Sequence, residues 1–163
     1  MDAQQSTQLA RTATVTLPAD DHVLVTRHFD APPHLVYRAW TTPELIARWW
    51  HANRGEIRSI DVDLRVGGRW RFVMVAPGGF EVAFHGEYRE IVPDARLVTT
   101  ETYEGAPDVE AVTTATFAEA DGGTQLTLLI QHPSQQTRDA HLPGMEEGLQ
   151  DALALAEQVA RSL

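Results

Sequence analysis

The chain has 163 residues, 43% of them hydrophobic and 22% charged, and a formal net charge of −10. That length suits one domain with a substantial core, and the acidic balance argues against nucleic acid or an anionic membrane as partner, since phosphates need basic surfaces. The sequence contains neither Cys nor Lys, which excludes disulfides, thiolate metal sites, cysteine nucleophiles and lysine Schiff bases.

The charge is uneven. Residues 1–80 carry nine Arg against eight acids, and residues 81–163 carry four Arg against fifteen. No run approaches the roughly 18 apolar residues of a membrane span. The first residues are polar and lack the apolar stretch of a secretory signal. The expectation is a cytoplasmic chain without membrane insertion.

Residues 1–13 read as a loose tail and residues 14–163 as one domain. Residues 22–29 (HVLVTRHF) are rich in β-branched side chains and predict a strand. Asp30-Ala31-Pro32-Pro33 breaks it, with Asp30 as the expected helix cap. Leu35, Val36, Ala39 and Trp40 then recur at helical spacing, and Leu45, Ile46, Trp49 and Trp50 mark a second short helix after Pro43.

A long β region follows. Residues 60–66 alternate strictly between apolar and charged, which predicts a strand with one wet face. Gly67-Gly68 reads as a two-residue hairpin turn. Trp70, Phe72 and Met74 share one face of the next strand, and Phe80, Val82, Phe84, Gly86 and Tyr88 one face of the strand after it. Turn signals at Pro93-Asp94, at residues 105–107 and at residues 121–123 separate three further strands, so the pattern is an antiparallel meander.

The period changes at the C-terminus. Met145, Leu149, Ala152, Leu153, Ala156, Val159, Ala160 and Leu163 form one apolar stripe on a helix of about five turns. Gly144 and Gly148 near its start disfavour helix and suggest a close backbone approach or a flexible entrance. A sheet with one apolar face needs a cover, and this helix is the element large enough. The small side chains at Ala152, Ala156 and Ala160 leave room between helix and sheet.

These segments resemble the START-like (Bet v 1-like, SRPBCC) superfamily, and within it the family related to the C-terminal domain of the activator of Hsp90 ATPase. The resemblance is carried by residues 29–32 (FDAP), 36–44 (VYRAWTTPE), 48–50 (RWW), 63–70 (DLRVGGRW), 86–93 (GEYREIVP), 123–124 and 144–149 (GMEEGL), in the family's order and spacing. It implies an α+β helix-grip fold. A curved antiparallel sheet of about six or seven strands would grip a long C-terminal helix over a hydrophobic cavity, with two short helices after the first strand. It also allows a homodimer and, by analogy alone, an Hsp90-type chaperone partner. The chain departs from the family at His51-Ala52, where Gly-Pro is common, and at Leu149, where Trp is common.

Trp49, Trp70, Phe72, Met74, Phe84, Met145, Leu149 and Leu153 are the candidate ligand-binding residues, because pockets are mostly apolar. His51, His85, Glu101 and Tyr103 are the candidate polar or catalytic groups, as anchors or as acid and base. The His residues lack metal-ligand spacing, so no metal is expected, and nothing calls for a cofactor. Ser6, Ser59, Ser134 and Ser162 sit in no nucleophile elbow. The first expectation is therefore binding of a small hydrophobic or amphipathic molecule without covalent chemistry. The alternatives are a cofactor-independent cyclase, dehydratase or hydrolase on a polyketide-like or aromatic substrate, and a co-chaperone-like stimulator of an Hsp90-type ATPase.

Overall fold

The structure is a computed structural model and describes residues 12–163. The elements are β1 (Thr14–Thr16), β2 (His22–Phe29), α1 (Pro33–Thr41), α2 (Pro43–Ile46), β3 (Glu56–Val62), β4 (Arg69–Val75), β5 (Glu81–Val92), β6 (Arg96–Tyr103), β7 (Glu110–Ala120), β8 (Gly123–Gln131) and α3 (Gln135–Arg161). All strands form one antiparallel sheet of eight, in the order β1-β2-β8-β7-β6-β5-β4-β3. The fold is the expected helix grip, with more strands than the six or seven predicted. The added one includes β1, which pairs with β2. No helix among the described residues is long and apolar enough to cross a membrane.

The expected tail over residues 1–13 lies outside the described residues up to residue 11. Ala13 is buried and tied to α3, its N–H donating to Gln150 Oε1 at 2.9 Å and its carbonyl accepting from Gln150 Nε2 at 3.0 Å.

Period-two alternation sets the inner face of the sheet. On β2 the buried positions are Val23, Val25, Arg27 and Phe29, and the residues between them are only partly covered. Their neighbours on β8 are Thr124, Leu126 and Leu128. The β7–β8 hairpin turns at Asp121 and Gly122, both at positive φ (50° and 77°), as a tight two-residue hairpin demands.

The Gly67-Gly68 signal plays another part. β3 ends at Val62, and residues 63–68 form a longer loop before β4. The Gly67 N–H donates to the Tyr88 carbonyl, and the Tyr88 N–H donates to the Gly68 carbonyl, so the loop's end is held by β5. Leu64 and Val66, expected in a strand, are exposed there. Phe80 likewise lies outside β5 and is exposed.

Asp30 is not the cap of α1. The N-cap is Pro32, with Pro33 in the first turn and no side-chain cap bond. The Asp30 N–H instead donates to Glu157 Oε2 of α3 at 2.7 Å. Arg27 and Glu157 are both almost fully buried, 4% and 6% exposed, with a guanidinium nitrogen 3.5 Å from Glu157 Oε1. The Arg27 guanidinium also lies 4.9 Å from the centre of the Phe29 ring. These contacts fix the C-terminal half of α3 on β2, while Leu153, Ala156, Val159 and Ala160 are buried beneath it.

The helix begins about ten residues earlier than expected. Ser134 and Thr137 form a reciprocal capping box, and Pro143 sits inside the helix. Pro143 has no N–H to give to the Asp139 carbonyl, which weakens the helix at that turn. Gly144 meets open space, and a side chain at Gly148 would rest 3.7 Å from Ala52 and Arg54. Of the three alanines expected to leave room, only Ala152 borders an open space; Ala156 and Ala160 are instead packed in the core.

Removing one member of a buried ion pair strands the other, which typically costs about 3–5 kcal/mol. Glu157→Ala should lower urea-unfolding stability by that order. Arg65→Ala, which loses only an exposed pair with Asp63, should change it by no more than about 1 kcal/mol.

Candidate functional site

Because α3 is fixed by its C-terminal half, its N-terminal half spans the inner face of β4–β8 at a distance. The space between is a cavity of about 720 Å³, within the roughly 300–1,000 Å³ of small-molecule sites. Strands supply Trp70, Phe72 and Met74 from β4, Val82, Phe84 and Tyr88 from β5, and Leu97, Thr99, Glu101 and Tyr103 from β6. The helix supplies His141, Leu142, Met145, Leu149, Ala152 and Leu153. Trp40, Trp49, Trp50, His51, Ala52 and Arg54 close the side under α1 and α2.

All eight residues expected to line a ligand site border this cavity. The aromatic side chains form two packed groups. Trp40 and Trp49 lie 4.4 Å apart between centroids, and Trp40 also meets Phe29 and Phe117 edge-on. Trp49 Nε1 donates to the Ala39 carbonyl at 2.9 Å, which fixes its ring. The second group is a continuous wall from Trp70 to Phe72 (4.7 Å), Trp50 (5.4 Å), Phe84 (5.7 Å) and Tyr103 (5.1 Å).

Gly86 makes that wall possible. A Cβ there would lie 1.8 Å from the Thr100 carbonyl oxygen and 2.6 Å from Trp70 Nε1. Only a residue without a side chain lets the Trp70 indole lie across β5 at this point.

The four polar candidates divide three to one. His51, Glu101 and Tyr103 border the cavity. His85 does not, because alternation along β5 turns it away from Phe84 to the outer face. There His85 Nδ1 is 2.9 Å from Glu104 Oε2, and Arg71 clamps the same carboxylate through two nitrogens. Arg71 first, then His85, hold the Glu104 carboxyl down at about 2. His85 is thus part of a surface ion cluster, apart from His51, Glu101 and Tyr103. His51 Nδ1 accepts from the Asn53 N–H at 3.0 Å, so the ring's own N–H is on Nε2 when it is neutral.

Two further cavity groups, His132 and His141, are absent from the sequence-based candidates. Their rings are 5.6 Å apart. His141 Nδ1 donates to the Thr137 carbonyl at 2.8 Å, which leaves Nε2 as an acceptor in the neutral ring. Burial, then the neighbouring His141 and Arg138, hold His132 below its ordinary value, so it is neutral at pH 7. His132 Nδ1 has no hydrogen-bond partner among the described residues. The helical spacing His141–Met145–Leu149 was a usable signal, since these residues share one face. It becomes visible only once the helix is started at Ser134.

Glu101 is half-buried on β6 and borders the cavity. Burial pushes its carboxyl up from the ordinary 4.5, while His141 pulls in the opposite direction. Burial also pushes the Tyr88 hydroxyl up to about 12, with a smaller contribution from Tyr37. Among the described residues no group of three His, Asp or Glu side chains is placed to hold a metal ion.

Sheet order, a gripped helix and an apolar cavity between them together define a START-like protein. The family model described as activator of Hsp90 ATPase homolog 1-like protein matches residues 30–159, and the chain belongs to that family. No curated protein matches it. Among solved structures, a protein of Rhodobacter sphaeroides superposes with a TM-score of 0.87 at 23% identity, covering 93% of this chain and 99% of its own. A Nitrosomonas europaea protein gives 0.78 at 26% identity, covering 90% and 97%. One from Chromobacterium violaceum gives 0.66 at 29% identity, covering 85% and 99%.

The Glu101 carboxyl also predicts a pH effect on stability. Its folded-state value is raised, so its ionisation is penalised only when folded. Stability is full below the ordinary 4.5 and declines as pH rises through the folded value. Glu101→Gln removes that decline. Urea midpoints followed from below pH 4.5 to neutrality should diverge, the wild type falling relative to the variant; parallel curves would rule the effect out.

Proposed function

We propose that this chain binds a small molecule with an apolar body in the cavity between sheet and helix, without covalent chemistry. The observation that carries this reading is the cavity itself: about 720 Å³, walled by packed aromatic and aliphatic side chains. Burying apolar ligand surface there contributes roughly 25 cal/mol per Å², and the few polar groups would orient the ligand. The family resemblance fits this reading, but it is the cavity that argues for it.

An enzymatic reading has one observation in its favour. Glu101 and His141 face one cavity, His141 pulls the Glu101 carboxyl down against the effect of burial, and the Nδ1–H of His141 is held by Thr137. An acid and a base in an apolar space are the minimum for cofactor-independent proton transfer on an aromatic or polyketide-like substrate. The binding reading needs fewer assumptions, since none of the cavity-lining residues is a serine or cysteine nucleophile.

Native mass spectrometry of the purified chain, combined with titration of a fluorescent apolar probe, tests the proposal. The expected result is a retained organic mass or saturable binding of one probe per chain. Neither appearing would sink it. Leu149→Trp should fill part of the cavity and weaken probe binding at least about tenfold. Because the added ring enters open space, stability should change by less than about 1 kcal/mol, short of the 1–3 kcal/mol of overpacking a dense core.

A further inference from the structure

The group that the apolar cavity leaves unexplained is Glu101. Its carboxyl makes no hydrogen bond to any described residue, and the half-buried side chain faces the open space. Buried carboxyls are normally paired or hydrogen-bonded. Among the described residues only His141 acts on its charge.

Its surroundings narrow what would answer it. Tyr103, two residues on and on the same face of β6, begins the aromatic wall that continues through Phe84 and Trp50. The ring faces of such a wall carry negative potential and attract cations. Two guanidinium groups, Arg54 on the cavity wall and Arg138 close to His132, are already engaged. Arg54 donates to the Glu147 carbonyl and lies 3.7 Å from Asp151 Oδ2. Arg138 is bound to Asp139 and to the Ala19 carbonyl. His141 turns its Nδ1–H outward to Thr137, so the neutral ring presents an acceptor inward. Both of these guanidinium groups are thus occupied elsewhere, which leaves the Glu101 carboxyl open to a cationic group of a ligand.

We infer that the ligand of this cavity is an amphipathic amine, with its ammonium head against Glu101 and its apolar body along the aromatic wall. An ammonium supplies both the charge and the N–H donors that the carboxyl lacks. A carboxylate-headed ligand such as a fatty acid would place two like charges together. The inference rests on the binding reading above and narrows it to one chemical class.

The test uses three probes with one naphthylethyl body, ending in an ammonium, a hydroxyl or a carboxylate. Each is titrated into the full chain at neutral pH, with intrinsic tryptophan fluorescence as readout, since all four tryptophans border the cavity. The amine should bind at least about tenfold tighter than the alcohol, as expected for a charge-assisted contact away from water, and the carboxylate most weakly. Glu101→Gln should weaken the amine at least about tenfold and the alcohol by less, because the ionic contact exists only for the amine. Equal binding of amine and alcohol to the wild type, or an unchanged amine affinity in Glu101→Gln, would overturn the inference while leaving the binding reading intact. Failure of all three probes to bind would remove both. The wild-type comparison of amine and alcohol decides the matter even if the variant folds poorly.

Discussion

The clamp between α3 and β2 determines where the open space lies. Glu157 receives the Asp30 N–H on one carboxylate oxygen and faces Arg27 with the other, in a region closed to water. One side chain therefore ties the helix both to the strand and to the turn leading into α1. Beneath it Ala156 and Ala160 let the backbones approach, and Leu153 and Val159 fill the remaining volume. A helix held firmly at one end and laid across a twisted sheet must diverge from that sheet at the other. The cavity is the result of that divergence.

The other half of α3 is built to lower standards of packing. It carries Pro143, Gly144 and Gly148, and its inner face offers Leu142, Met145 and Leu149 to open space. Its contacts to the loop after α2 are the exposed ones of Arg54 with the Glu147 carbonyl and Asp151, which contribute little to stability, while Arg138 ties its first turns to the Ala19 carbonyl. Stability is thus concentrated where the helix is docked.

Much of this was legible in the sequence for local reasons. Strict alternation on the strands assigns inner and outer faces, so Trp70, Phe72, Met74 and Phe84 could be grouped before any contact was known. Asp121-Gly122 identifies its turn because both positions need positive φ. Alternation continued falsely through Leu64 and Val66, since nothing local reveals that Gly67 and Gly68 bond to Tyr88, twenty residues on. The start of α3 was hidden by Pro143-Gly144, which resembles a break, and by a capping box whose N3 residue is Thr137 rather than Glu. His132 and His141 were missed for that reason. They meet only because the end of β8 and the first turns of α3 fold back on each other.

The polar end of the cavity goes against the stability of the protein that contains it. An apolar side chain at position 101 would suit the surrounding Leu97, Phe84 and Tyr103, and would avoid the desolvation of a carboxyl without a partner. Retaining Glu there is the kind of local inconsistency that, in a sequence otherwise consistent with its fold, marks function. His85 shows the contrast. It also sits beside a carboxylate, but on the outer face, where Arg71 and His85 itself satisfy Glu104 and the arrangement needs no other explanation. The two sites contain the same residue types. One is complete within the chain, and the other turns its carboxyl toward open space.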